Sequence, residues 1–231
     1  VMAMCLVLVF AWRSRAQTHP AVDLGLLRER AFGIATLAGG LCRVAMNAPV
    51  YLLPLLLQLG LGMSPVASGS LTFLSAFGAP LIRVVIAPAL RHLGFRNLLM
   101  GSALACSATL ASFALIGLQT SHFRIAALIV LFGLVRSIQF MTSNTLAYAD
   151  VEHWRLSRAT SLGGLLQQLT VSFGVSVAAA LLGLLAPKLS GPALSAFHDV
   201  FLILADLPLL ALPGFARLRR ADGAVVSGHG I

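Results

Sequence analysis

The chain has 231 residues, 58% of them hydrophobic and only 10% charged, with a formal net charge of +9 and a mean hydropathy of +0.94. Soluble domains carry roughly a quarter charged residues, so these proportions exclude a water-soluble globule and leave an all-α, polytopic membrane protein. The positive charge does not signal nucleic acid, because the basic residues fall between apolar runs instead of gathering on one face.

Residues 1–12, VMAMCLVLVFAW, are apolar but too short to span a bilayer. They lack the basic start and cleavage site of a signal peptide. They read as the end of a transmembrane helix whose beginning is missing, which makes the chain the C-terminal part of a longer protein. Residues 13–31 form a linker. Six apolar runs follow, approximately 32–58, 66–90, 97–118, 124–148, 160–186 and 199–216, together a bundle over 32–216. Each is long enough for a hydrocarbon core of ~30 Å at ~1.5 Å per residue. The connections LGMSP, HLGFRN and QTSHF are short. The longer YADVEHWRLSR carries Asp150, Glu152, Arg155 and Arg158 and reads as a solvated link, with Ser157 as an N-cap candidate. Residues 217–231 form a polar tail.

The basic residues fix an expected orientation. One side holds Arg13, Arg15, Arg28, Arg30, Arg91, Arg96, Arg155, Arg158, Arg217, Arg219 and Arg220. The other holds Arg124 and Lys188. That bias places the first set, and with it the C-terminus, in the cytoplasm. Arg43, Arg83 and Arg136 lie inside spans, Arg83 close enough to the surface to snorkel.

Pro49, Pro54, Pro80, Pro88, Pro208 and Pro213 interrupt spans, and the freed carbonyls need neighbours or a wet cavity. Gly163, Gly164, Gly174 and Gly183 let the 160–186 span pack closely. Cys5, Cys42 and Cys106 lack metal-ligand spacing and read as small buried hydrophobes. No histidine falls inside a long apolar run. No HExxH, GxSxG, Cys/His cluster or paired membrane acid is present, so neither an enzyme nor a metal site is expected.

The polar groups inside the spans carry the functional reading. Arg43 and Arg136 each lie about 16 Å from the cytoplasmic end of their helices, essentially at midplane. Facing lipid, each would cost about 2.5–3.5 kcal/mol, so both should face the bundle interior or a watery cavity. At 100° per residue Arg136, Gln139 and Ser143 cluster, with Asn144 further round; Thr36, Arg43, Asn47, Pro54 and Gln58 share a face, as do Ser161, Gln168 and Ser172. Such stripes line a path or join helices. The pathway candidates are Arg43, Asn47, Arg136, Gln139, Asn144 and Gln168. Asp206, the one acid well inside a span, is an ion-pair partner, a lining group or a proton site.

The stretches HPAVDLGLLRERAF, YLLPLLLQLGLGMSPVASG, SIQFMTSNTLAYAD and SRATSLGGLLQQLTVSFGVSVAAALL occur in an order that resembles fourteen-helix drug:proton antiporters. These are major facilitator superfamily members of the EmrB/QacA type, and the likeness is to their C-terminal half. The resemblance implies a secondary transporter in the bacterial inner membrane, exporting small amphipathic compounds with no cofactor beyond the proton gradient. Its partners would be the bilayer, an N-terminal half and a small-molecule substrate. One departure concerns the superfamily loop motif. Aligned on Gly94, this chain has Ala87 at the first glycine, Arg91 at the acid, and His92, Phe95 and Arg96 at the basic positions, so this copy lacks the charge pair. A midplane arginine pair suits anionic or zwitterionic substrates at least as well as lipophilic cations. The alternative is a non-transporting membrane remnant or assembly subunit.

Overall fold

The computed structural model describes residues 23–185, 193–219 and 222–223. The half-helix expected at 1–12, the linker as far as 22, Lys188, the tail from 224 and the side chain of Arg83 lie outside the described residues. No strand occurs among the described residues, and the chain is an all-α polytopic membrane protein.

Asp23 starts the order by accepting the Gly25 N–H at 2.9 Å, which sets a 3-10 turn over Leu24–Arg28 with Leu26 fully buried. Helix α1 (Arg30–Leu55) runs through Pro49 and Pro54 and widens into a π turn at Leu56–Gly60. Nearby the Ser68 hydroxyl donates to the Pro54 carbonyl and accepts from Gln58 Nε2, each at 3.4 Å. Helix α2 (Pro65–Phe73) has Ser64 as its N-cap and proline in its first turn, where a missing N–H costs nothing. A 3-10 turn, Leu74–Phe77, joins it to α3 (Gly78–Phe113). Then come α4 (His122–Ala149), α5 (Leu156–Leu185) and α6 (Ala193–Ala216).

Helix α3 is broken at Gly94, where φ 70° and ψ 167° demand glycine. The two buried clusters show what that break does. One holds Phe32 and Ala38 of α1, Ile82, Leu90 and Leu99 of α3, Leu146 of α4, Leu162 of α5 and Phe215 of α6. The other holds Leu52 of α1, Leu110 of α3, Ile129 of α4, Ala178 of α5 and Phe201 of α6, with Leu71 and Leu74 packed against it. The chain from 65 to 93 therefore runs from the second end to the first, and 95–113 returns. Counting both, the described residues make six passes of alternating direction: α1, 65–93, 95–113, α4, α5 and α6. Four helical stretches, Arg30–Gly60, His122–Ala149, His153–Leu185 and Leu194–Ala216, are long and apolar enough to cross a membrane.

Some element ends differ from the sequence expectation. Helix α3 stops at Phe113, leaving Leu115 and Leu118 exposed in the connection. Helix α6 starts earlier than expected and takes in His198, whose Nε2 lies 2.8 Å from the Ile116 carbonyl oxygen. Ser157 is not a cap: α5 already begins at Leu156, after a 3-10 turn at His153–Arg155, and the Ser157 carbonyl accepts from Thr160 and Ser161.

The 148–158 link is more than a solvated connection. Arg155 bonds Asp23 at 2.8 Å and also Glu29, so it ties the α4–α5 link to the segment before α1. Arg30 pairs with Asp222 at 3.5 Å and donates to the Arg217 carbonyl. Asp150 accepts the Gly223 N–H at 3.2–3.3 Å. These contacts gather the first cluster's end into one charged plate, the end that carries most of the arginines.

Candidate substrate cavity

The arginines meet through an asparagine. Asn47 sits one helical turn after Arg43, and its Nδ2 donates to the Arg43 carbonyl at 2.7 Å. That bond fixes the amide, so Oδ1 faces outward and accepts from Arg136 Nη2 at 3.0 Å. Arg43 Nη2 in turn donates to Asn144 Oδ1 at 2.8 Å, and its guanidinium lies 5.5 Å from the centre of the Phe140 ring. Two helices far apart in sequence thus hold two cations at one level. Both cations are held by neutral oxygens: among the described residues no carboxylate pairs with either.

Around them is a cavity of about 160 Å³ lined by Arg43, Met46, Asn47, Arg136, Phe140, Gln167 and Val171. Arg43 is only 6% exposed, and its Nε has no hydrogen-bond partner. A second pocket of about 310 Å³ lies between α1, the 65–93 pass and α4, with Val50, Leu53, Pro54, Phe73 and Phe132 in its wall. Arg136 lines both.

The structure sorts the sequence candidates. Arg43, Asn47, Arg136 and Asn144 form one network, although the spacing on α4 had set Gln139 beside Arg136 and Asn144 further round. Gln139 does not line the cavity: it is 1% exposed, accepts from the Ser102 hydroxyl and donates to Ser143 at 3.5 Å. Gln168 is exposed on α5, and its neighbour Gln167 lines the cavity instead. Asp206 is exposed on α6, and among the described residues it makes no ion pair. Phe140 and Met46 were missed. Phe140 stands one turn from Arg136, so i,i+4 spacing held a usable signal, but an aromatic in an apolar run does not stand out. Cys42 and Cys106 are buried free thiols, and no metal-binding group of His, Cys, Asp or Glu occurs among the described residues.

No family model matches the chain. It is 31% identical over 202 residues to a protein of Pectobacterium atrosepticum named "Putative multidrug resistance protein MdtD", covering 87% of this chain and 43% of that one. Proteins of the same name from Cronobacter sakazakii and Klebsiella pneumoniae subsp. pneumoniae are 30% and 26% identical. Those two matches cover 91% and 95% of this chain and 46% and 47% of the relatives. The chain is a relative of the MdtD proteins. It spans a little under half the length of these relatives, and the matched length takes in both helices that carry the arginine network.

Proposed function

We propose that the chain is the C-terminal half of a secondary active transporter of the major facilitator type, in its EmrB/QacA-type drug:proton antiporter branch. It exports small amphipathic compounds across the bacterial inner membrane. All six passes cross the bilayer, and the arginine-rich end with the C-terminus faces the cytoplasm. The observation that carries this reading is the pair of guanidiniums on separate apolar helices around one cavity, in a chain related over most of its length to MdtD proteins. A charge at that depth is tolerated where it serves a path through the membrane.

The substrate path lies between this bundle and a second one. The apolar stretch of α5 is mostly exposed whereas that of α1 is mostly buried, so α5 offers a face for the other half. Rocking of the two halves exposes the cavity to each side in turn, and the proton gradient biases the exchange. Asp206 is the acid this half offers for coupling.

The reading is tested by reconstituting the full-length protein in proteoliposomes and imposing a proton gradient. Gradient-driven movement of amphipathic compounds, reduced by Arg43→Ala and Arg136→Ala, is the expected result. If no compound moves under any gradient, or if both variants transport every substrate class like the parent, the reading fails.

A further inference from the structure

We infer that the arginine cavity binds the oxyanion head of a small amphipathic anion while the adjoining pocket holds its apolar body. This names a substrate class for the site and rests on the transport reading above.

Charge comes first. Arg43 and Arg136 stay protonated, and the groups they bond are the neutral amide oxygens of Asn144 and Asn47. A cation pushed into this space would meet two like charges, whereas an oxyanion would relieve both. The second observation is the orphan donor. Arg43 lines the cavity and is 6% exposed, and its buried Nε has no partner. A buried charged donor left unmade is costly, so this guanidinium is short of acceptors, and an oxyanion in the cavity would supply them.

Size divides the ligand into two parts. About 160 Å³ holds the volume of roughly five waters, enough for a carboxylate, sulfonate or phosphate group but too little for a drug-sized molecule. The pocket of about 310 Å³ is walled by Val50, Leu53, Pro54, Phe73 and Phe132, which suit a ring or short chain. Arg136 belongs to both walls, so it sits where head and body join. Phe140, against Arg43, steadies the guanidinium at the cavity.

The test uses purified full-length protein in phosphatidylcholine nanodiscs and three matched probes: 4-(1-pyrenyl)butyrate, its methyl ester and 4-(1-pyrenyl)butylamine. Empty nanodiscs correct for partitioning. The butyrate is expected to bind about tenfold tighter than either analogue, the gap one charge-assisted contact provides. Arg43→Gln and Arg136→Gln should each erase most of that gap, and Arg124→Gln, at the opposite end, should not. Asn47→Asp keeps the side chain's size, gives up the bond to the Arg43 carbonyl and places an internal anion beside Arg136, so it should remove the preference; circular dichroism confirms that the helices are retained. Equal affinity for all three probes overturns the inference, as does an Asn47→Asp protein that still prefers the butyrate. Loss of the preference in phosphatidylglycerol nanodiscs also overturns it, because a lipid headgroup would then be the occupant. Binding without transport would sink the transport reading alone, and transport of all three probes alike would sink this inference alone.

Discussion

Gly78 and Gly133 touch backbone to backbone. A β-carbon on Gly78 would lie 2.3 Å from the carbonyl of Gly133, and one on Gly133 would lie 2.2 Å from the Ser75 oxygen. This is where the 65–93 pass crosses α4, one turn below Arg136, so the crossing sets how wide the apolar pocket can be. Alanine at either position must push two backbones apart and is expected to cost about 1–3 kcal/mol, as overpacking does. Gly101 has nothing within 4 Å of its would-be β-carbon. Gly101→Ala should therefore stabilise by about 0.4–1 kcal/mol through the unfolded chain. Unfolding in mixed micelles distinguishes the two: equal effects at Gly133 and Gly101 would mean that the two backbones do not cross there.

Ser102 and Gln139 give an asymmetric pair of mutations. The Ser102 hydroxyl also lies 3.1 Å from the Leu99 carbonyl oxygen, to which its one proton can turn when Gln139 is lost. Gln139 has Ser102 and, at 3.5 Å, Ser143. Ser102→Ala should then cost about 0.6 kcal/mol, and up to about 1.7, the range of interhelical hydrogen bonds in membranes. Gln139→Leu should cost less. Neither should change the affinity for the pyrenyl butyrate by more than about twofold, because Gln139 lies off the cavity. A larger loss in Gln139→Leu would return that residue to the substrate path.

The class of fold was readable from apolar run length alone, because length measures the one thing a bilayer demands. That Arg43 and Arg136 turn inward was within reach too: a guanidinium in a long apolar run has few tolerable surroundings, and the two line one cavity. Which flank of α4 faces the cavity was not. Gln139 and Asn144 sit on opposite sides of Arg136 on the helical wheel, about 140° apart. Only the packing of 95–113 against one side and α1 against the other decides between them. Gln167 and Gln168 raise the same difficulty, since one residue of rotation moves a side chain by 100° and α5 has little periodic contrast to fix its face. The clasp at Arg155 was hidden for another reason: its partners, Asp23 and Glu29, are more than a hundred residues away.

That clasp has a pH dependence of known sign. The hydrogen bond from Arg155 is the main reason the Asp23 carboxyl is held below its ordinary value of 3.8, with burial opposing and the Gly25 N–H assisting. Arg155 is pushed above its ordinary value, chiefly by the same bond. A lowered carboxyl contributes order that is complete above 3.8 and disappears as pH falls through the native value. At neutral pH the 23–29 segment should exchange its amides slowly, and Arg155→Gln should speed that exchange while leaving α4 unchanged. After correction for intrinsic rates, the difference between parent and variant should shrink only in acid below 3.8. A difference that vanishes already near neutrality would mean another group controls the segment.

Asp206 stands thirteen residues after Ala193 and ten before Ala216, close to the middle of α6. Its flanks on the same exposed face are Leu202, Ile203, Leu209 and Leu210. At a helix centre an aspartate costs about 2.5–3.5 kcal/mol of insertion free energy, and a leucine gains about 0.3–0.6. A translocon insertion assay of the 193–216 segment should therefore show Asp206→Leu inserting more favourably by about 3 kcal/mol. In the full-length protein the same substitution separates two roles for this face. If Asp206 serves coupling, as proposed, the leucine variant inserts and binds the pyrenyl butyrate normally but no longer responds to the proton gradient. If it retains gradient-driven export at the parental rate, Asp206 is excluded as the coupling acid, and the search moves to groups outside the described helices.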